Sequence, residues 1–203
     1  MIIDELMRTA PVIPVLVLDG EHDPVALAET LVAAGLRVLE VTLRTPRAVE
    51  AIRAMARVPD AIVGAGTVLN ERQLREVEGA GARFVVAPGL TESLTRAAMA
   101  SDLVYLPGVA TAGDIMRGLD LGLARFKFFP AEASGGLPAI RALAAPFGQV
   151  RFCPTGGITE ATAPEWLAEP SVACIGGSWM VKKGISLQAI GDAARKAALL
   201  SAS

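Results

Sequence analysis

Arg37-Val38-Leu39-Glu40-Val41-Thr42-Leu43 is a β-branched run that leads through Arg44-Thr45-Pro46 into Ala48–Arg57 and then into a second such run, Ala61–Gly64. Strand alternation places Glu40, Thr42 and, one step on, Arg44 on one face, with Leu39, Val41 and Leu43 on the other. The stretch Ala48–Arg57 carries helical spacing instead. Thr45-Pro46 reads as an N-cap followed by proline at the first helical position. A strand, a helix and a second strand in so short a span make one unit of a parallel sheet.

The same unit recurs on both sides. Strands are expected at Val12–Leu18, Arg37–Leu43, Ala61–Gly64, Arg83–Ala87, Leu103–Leu106, Ala124–Phe128, Val150–Cys153 and Val172–Gly176. Helical stretches follow, among them Ala26–Ala34, Gln73–Glu78 and Thr91–Met99, and Gly35 and Gly81 stand where helices end. Eight units in 203 residues come to about 25 residues each, near the lower size limit of a closed (β/α)8 TIM barrel. The words Ala87-Pro88-Gly89, Leu106-Pro107-Gly108 and Phe129-Pro130-Ala131 form a weak internal repeat, as equivalent units around a ring would. A doubly wound open sheet is the rival, but the first turn lacks the Gly-rich dinucleotide fingerprint. The expectation is a TIM barrel with a short N-terminal helix, one domain over residues 1–203.

Composition removes several function classes. The longest stretch without a charge, Pro170 to Val181, is well short of the ~18 apolar residues of a membrane span. Asp4 and Glu5 precede the first apolar run, so the basic lead of a signal peptide is missing. Two cysteines suit a reducing cytoplasm, and a net charge of −2 without a basic block offers nucleic acid no footprint. A single histidine, His22, argues against a His-rich metal centre; just past the first strand, it reads as a loop residue.

In this fold the active site is built at the C-terminal ends of the strands. The outer face of each strand packs under helices and must be apolar, so Glu40, Thr42 and Arg44 point into the barrel mouth. An internal Glu40–Arg44 ion pair is the alternative reading of that triplet. The third strand ends in Gly64-Ala65-Gly66-Thr67, where glycines permit close approach and Thr67 offers a hydroxyl. In the sixth, Phe126 and Phe128 take one face, which turns Arg125, Lys127 and Phe129 inward. A buried lysine is costly as an ammonium, and the neutral amine attacks carbonyl carbon to form a Schiff base. Glu40 is placed to move protons, and Arg44 suits a planar carboxylate.

Pro154-Thr155-Gly156-Gly157-Ile158 and Ile175-Gly176-Gly177-Ser178-Trp179 follow the last two strands, where this fold repeatedly binds phosphate through loop amides. Cys153 and Cys174 lie in those strands and read as core residues. Together these parts imply Schiff-base chemistry on a phosphorylated 2-oxo acid.

These segments, with Phe126-Lys127-Phe128-Phe129-Pro130-Ala131-Glu132, Val63–Asn70 and Pro88-Gly89-Leu90-Thr91, resemble the 2-keto-3-deoxy-6-phosphogluconate aldolases over nearly the whole chain. The resemblance implies a class I aldolase of the Entner–Doudoroff pathway, without metal or cofactor, that releases pyruvate and glyceraldehyde 3-phosphate. Many members also cleave 4-hydroxy-2-oxoglutarate. It implies Lys127 as the Schiff-base lysine and Glu40 as the general acid/base, acting through a water. Arg44 and Thr67 would hold the pyruvate carboxylate, with Pro88 and Phe129 packing the pyruvyl end. Thr155 would meet the substrate hydroxyls, and Gly156, Gly157, Gly177 and Ser178 the phosphate. A cytoplasmic homotrimer is the implied assembly. Three other readings stay open at this point. They are an acid–base isomerase or synthase on the same barrel, an aldolase of the galactonate series, and a barrel that binds phosphometabolites without turnover.

Overall fold

The computed structural model describes residues 1–201. Nine strands follow in chain order: β1 Val12–Leu16, β2 Val38–Thr42, β3 Ile62–Gly66, β4 Phe84–Val86, β5 Val104–Leu106, β6 Gly108–Val109, β7 Arg125–Phe128, β8 Arg151–Pro154 and β9 Ile175–Gly177. The helices are α1 Ile3–Arg8, α2 Pro24–Ala33, α3 Ala48–Met55, α4 Glu71–Gly79, α5 Glu92–Met99, α6 Ala112–Asp120, α7 Gly136–Ala144, α8 Ala163–Leu167 and α9 Leu187–Ala198.

All named pairings are parallel. One sheet runs β5-β4-β3-β2-β1-β9 and the other β6-β7-β8. Two joints turn these arcs into a ring. β5 and β6 are halves of one stave interrupted at Pro107, whose carbonyl still accepts from the Lys127 N–H at 2.8 Å. Between β8 and β9, bridges join Phe152 to Val172 and Thr155 to Gly176. The result is eight staves, one at each place where the sequence calls for a strand, with a helix after each. The order never reverses, which excludes the doubly wound rival.

Most boundaries shift by one or two residues, as at β1, which ends at Leu16 instead of Leu18, and α2, which starts at Pro24 instead of Ala26; two others have a structural reason. Thr45-Pro46 does not open a helix: α3 begins at Ala48 with Arg47 as its N-cap, and the Thr45 hydroxyl has no hydrogen-bond partner. The Leu43 N–H is still bonded to the Gly66 carbonyl at 2.8 Å, so the turn has to be completed after the sheet lets go. The last strand is also shorter and later than expected, with Val172 making only a bridge. Elsewhere starts are sharp. Side chains of Asp23, Asn70, Thr91, Thr111 and Ser186 cap α2, α4, α5, α6 and α9, each worth about 1 kcal/mol.

Packing follows the alternation. Leu39, Val41, Val85, Phe126, Phe128 and Phe152 face outward into the main core, against Leu27, Leu31, Ile52, Leu74, Ile115 and Trp166 of the helices. The barrel lumen holds a second cluster of Ile13, Val38, Phe84, Val86, Val104, Leu106, Cys153 and Cys174, stoppered by Leu6 and Met7 of α1. The short N-terminal helix therefore plugs the N-terminal mouth. Cys153 and Cys174 are indeed core residues. The neighbouring Cys153, together with burial, pushes the Cys174 thiol well above its ordinary pKa and leaves it unreactive.

Arg125 is inward on β7, as the alternation requires, but at the plugged end. Its Nε donates to Asp4 Oδ1 at 2.6 Å, and its Nη1 to the carbonyls of Ala124 and Gln149 at 3.0 and 3.1 Å. That cation fastens α1 to the barrel. The lumen is thus stoppered at one end, where Asp4 and Arg125 also line an outer hollow of about 560 Å³, and the other candidate polar residues lie toward the opposite mouth.

Candidate active site

One residue further along the same face of β7 stands Lys127. Its Nζ lies 3.1 Å from Glu40 Oε1 and 3.4 Å from Oε2, and the two residues are only 5% and 3% exposed. Glu40 comes from β2, four staves from β7 in either direction around the ring, so the pair spans the lumen from opposite walls. It rests on the apolar plug of Val86, Leu106 and Cys153. The carboxylate of the β2 triplet therefore pairs with the lysine and not with Arg44. The reason is reach: Arg44 has left the strand and stands exposed on the rim. Thr42 is buried and donates to the Leu16 carbonyl at 2.9 Å, which commits it to joining β2 and β1.

Phe129 closes over the pair, its ring centroid 5.2 Å from Nζ, within cation–π range. Above it opens a cleft of about 150 Å³ lined by Val15, Val17, Arg44, Phe129, Thr155, Gly156, Gly157, Ile158, Gly176 and Ser178. Six residues singled out in the sequence meet in that one cleft: Arg44, Phe129, Thr155, Gly156, Gly157 and Ser178. Gly177 lies just beneath, buried against the Trp179 ring. Thr67 and Pro88 are off the cleft wall, in the turns after β3 and β4 at the same barrel end.

Two details explain residue types at the end of β3. Gly66 lies against the Glu40 carboxylate so closely that a Cβ there would overlap it, and Gly64 stands in the same relation to the Phe84 ring. These glycines make room for side chains of the barrel wall; the sequence reading left open that they serve a ligand. Thr67 then takes φ +61°, the left-handed region, which costs a β-branched residue on the order of 1–3 kcal/mol. It is pinned there because Leu43 N–H bonds the Gly66 carbonyl on one side and Val68 N–H bonds the Val86 carbonyl on the other. Among the described residues no group of three or more His, Cys, Asp or Glu is placed to hold a metal ion.

The family described as KDPG and KHG aldolase matches residues 3–195. The chain is 59% identical to the 2-dehydro-3-deoxy-phosphogluconate aldolase of Zymomonas mobilis over 182 residues, 90% of this chain and 88% of the relative. The chain belongs to the KDPG and KHG aldolase family. Solved members superpose closely. The 2-keto-3-deoxy-6-phosphogluconate aldolase of Zymomonas mobilis ZM4, crystallised with 3-phosphoglycerate, gives a TM-score of 0.96 at 55% identity, covering 98% of this chain and 96% of that one. The KDPG aldolase of Legionella pneumophila, with pyruvate captured at low pH as a covalent carbinolamine intermediate, gives 0.91 at 42%, covering 96% and 97%.

For this family member, the sequence reading missed Val15 and Val17 on the cleft wall, and it quoted Ile158 and Gly176 within the two loop segments without giving either a site role. The run Val12–Leu18 is apolar throughout, so it carries no alternation to say which valines face the lumen. Gly176 had a detectable reason, since it lies beside Thr155 across the β8–β9 joint, where a Cβ would overlap the threonine side chain. That contact depends on the register, which the sequence does not state.

Proposed function

We propose that the protein is a metal-independent class I aldolase that cleaves 2-dehydro-3-deoxy-6-phosphogluconate to pyruvate and D-glyceraldehyde 3-phosphate, and 4-hydroxy-2-oxoglutarate to pyruvate and glyoxylate. The observation that carries this reading is the buried Lys127–Glu40 pair spanning the lumen, with Phe129 joining it to a small cleft of mixed lining. An ammonium cannot attack a ketone, and here a carboxylate 3.1 Å away is positioned to take its proton.

The reaction then runs through this chain's own groups. Lys127 Nζ adds to the C2 ketone, and the carbinolamine loses water to give an iminium. Glu40, through a water, takes the C4 hydroxyl proton as the C3–C4 bond breaks. The bonding pair moves into the iminium as an enamine, and the aldehyde leaves. Protonation of C3 and hydrolysis of the iminium release pyruvate and restore Lys127. The apolar plug keeps bulk water from the pair, and Phe129 shields the forming iminium.

Arg44 and Thr67 are assigned to the carboxylate end, with Pro88 and Phe129 packing the pyruvyl group. Thr155 is assigned to the substrate hydroxyls, and Gly156, Gly157, Gly177 and Ser178 to the phosphate. The cleft supports the part of this assignment that concerns Arg44, Phe129, Thr155, Gly156, Gly157 and Ser178, which share its wall; for Thr67, Pro88 and Gly177 the assignment rests on the family resemblance. The family resemblance adds a homotrimer in the cytoplasm; no helix among the described residues is long and apolar enough to cross a membrane.

The test is pyruvate release from each substrate, followed with lactate dehydrogenase, before and after EDTA treatment. Full activity with EDTA on both substrates is the expected result. Loss on chelation, restored by metal, would overturn the lysine mechanism.

A further inference from the structure

Glu132 stands four residues beyond β7; it does not itself line the cleft but backs two residues that do, Gly156 and Gly157. Its main contacts run to the loop after β8 and to α8. The Ala131 N–H donates to the Thr155 carbonyl at 2.8 Å and the Glu132 N–H to the Gly156 carbonyl at 3.0 Å, so the chain past β7 is zipped along that loop. The Glu132 Cβ and Cγ press against Gly157, leaving no room for a Cβ on the glycine. Oε1 accepts from the indole Nε1 of Trp166 on α8 at 3.0 Å, and Trp166 is almost fully buried in the main core.

The loop needs such an anchor. Gly156 and Gly157 sit at φ +104° and +86°, and two consecutive glycines have no side chains to hold their peptide planes. Their headings are set from outside, by the Glu132 backbone on one side and its stem on the other. The Trp166 bond keeps the stem upright and turns Oε1 toward α8.

We infer that Glu132 is a positioning residue: a strut from Trp166 to the Gly156-Gly157 loop that fixes the direction of the loop amides toward the substrate's phosphate. The inference rests on the assignment of that loop to phosphate. A strut of this kind acts only where phosphate is bound, because the Lys127–Glu40 pair is held inside β7 and β2, before the chain reaches the zipped segment at Ala131-Glu132.

The test is steady-state kinetics of Glu132→Ala, Glu132→Gln and Trp166→Phe on both substrates, the phosphorylated sugar acid and phosphate-free 4-hydroxy-2-oxoglutarate. Glu132→Ala is expected to raise KM for the phosphorylated substrate roughly 10-fold, the scale of one hydrogen bond and its packing, with kcat within about 2-fold. Both constants for 4-hydroxy-2-oxoglutarate should stay within about 2-fold. Glu132→Gln keeps the stem and an acceptor and should restore wild-type values. Trp166→Phe should move KM in the same direction by a smaller factor. Should Glu132→Ala fail to fold, the other two variants decide the matter by the same criterion. Equal losses on both substrates, no change on either, or a Gln variant as impaired as Ala would overturn the strut. Ser178→Ala, run alongside, separates the two layers. If it raises KM only for the phosphorylated substrate while the Glu132 and Trp166 variants do not, the strut alone fails. If it is not selective either, the phosphate assignment fails, and the strut with it.

Discussion

Arg125 and Lys127 are cations two residues apart on one face of one strand, and they have opposite fates. Arg125 meets Asp4 and the carbonyls of Ala124 and Gln149, with α1 packed beneath it. Lys127 meets Glu40 across the lumen and has a phenylalanine ring above it and open cleft beyond. The first is tied into a carboxylate and backbone and has little left to offer a ligand. The second is a buried charge with one partner, and that partner can take its proton. Polarity inside a barrel therefore does not mark a site: Arg125 also has a carboxylate partner and borders a hollow of about 560 Å³, but its guanidinium keeps its proton, whereas a buried lysine amine can pass its proton to its one carboxylate partner.

The comparison is sharpest at Lys127. Lys127→Arg keeps a cation opposite Glu40 but removes the amine that condenses with ketones. Turnover of both substrates should fall by at least about 10⁴-fold, the scale of losing a covalent nucleophile. Retention of a tenth of the activity would favour acid–base cleavage without a covalent lysine. Glu40→Gln tests the other half of the pair. Turnover should drop by roughly 10²–10⁴-fold, as for loss of a general acid/base, and far more than KM changes. At the rim, Ser178→Ala should raise KM for the phosphorylated substrate by roughly 10-fold or more, the scale of a hydrogen bond to a charged group, and leave 4-hydroxy-2-oxoglutarate nearly unaffected. Arg125→Ala should show the smallest effect on catalysis, within about 2-fold, while thermal melting falls. Each kcal/mol lost from the Asp4 tie corresponds to about 2–4 °C in a chain of this size. A large fall in kcat without a fall in melting temperature would break the comparison.

How far the sequence foretells this depends on where each signal lives. The eight staves are legible because the strands are short apolar runs, most of them rich in β-branched residues and β7 and β8 in phenylalanine, and the helices that follow change the spacing. Lys127 and Glu40 are legible one at a time, each as a charge on the inward side of an apolar strand. Their meeting is not, because it depends on β2 and β7 standing opposite each other once the ring has closed, 87 residues apart in sequence. The same holds for Arg125, whose partner Asp4 is 121 residues away on a helix that reads only as an N-terminal extra. Thr45-Pro46 misleads for a local reason. The dipeptide has the chemistry of a helix start, but the sheet holds Leu43 too long for it to serve as one. Thr67 shows a third kind of limit, since no feature of its neighbours announces a left-handed threonine; two hydrogen bonds from adjacent strands impose it.

The most direct test of the central claim is covalent. The protein is incubated with pyruvate and sodium borohydride, its intact mass is measured, and the modified peptide is mapped. One reduced pyruvate per chain, on Lys127 and absent from Lys127→Arg, is the predicted result. An unchanged mass in folded protein, or a label on Lys182, Lys183 or Lys196 instead, would contradict it.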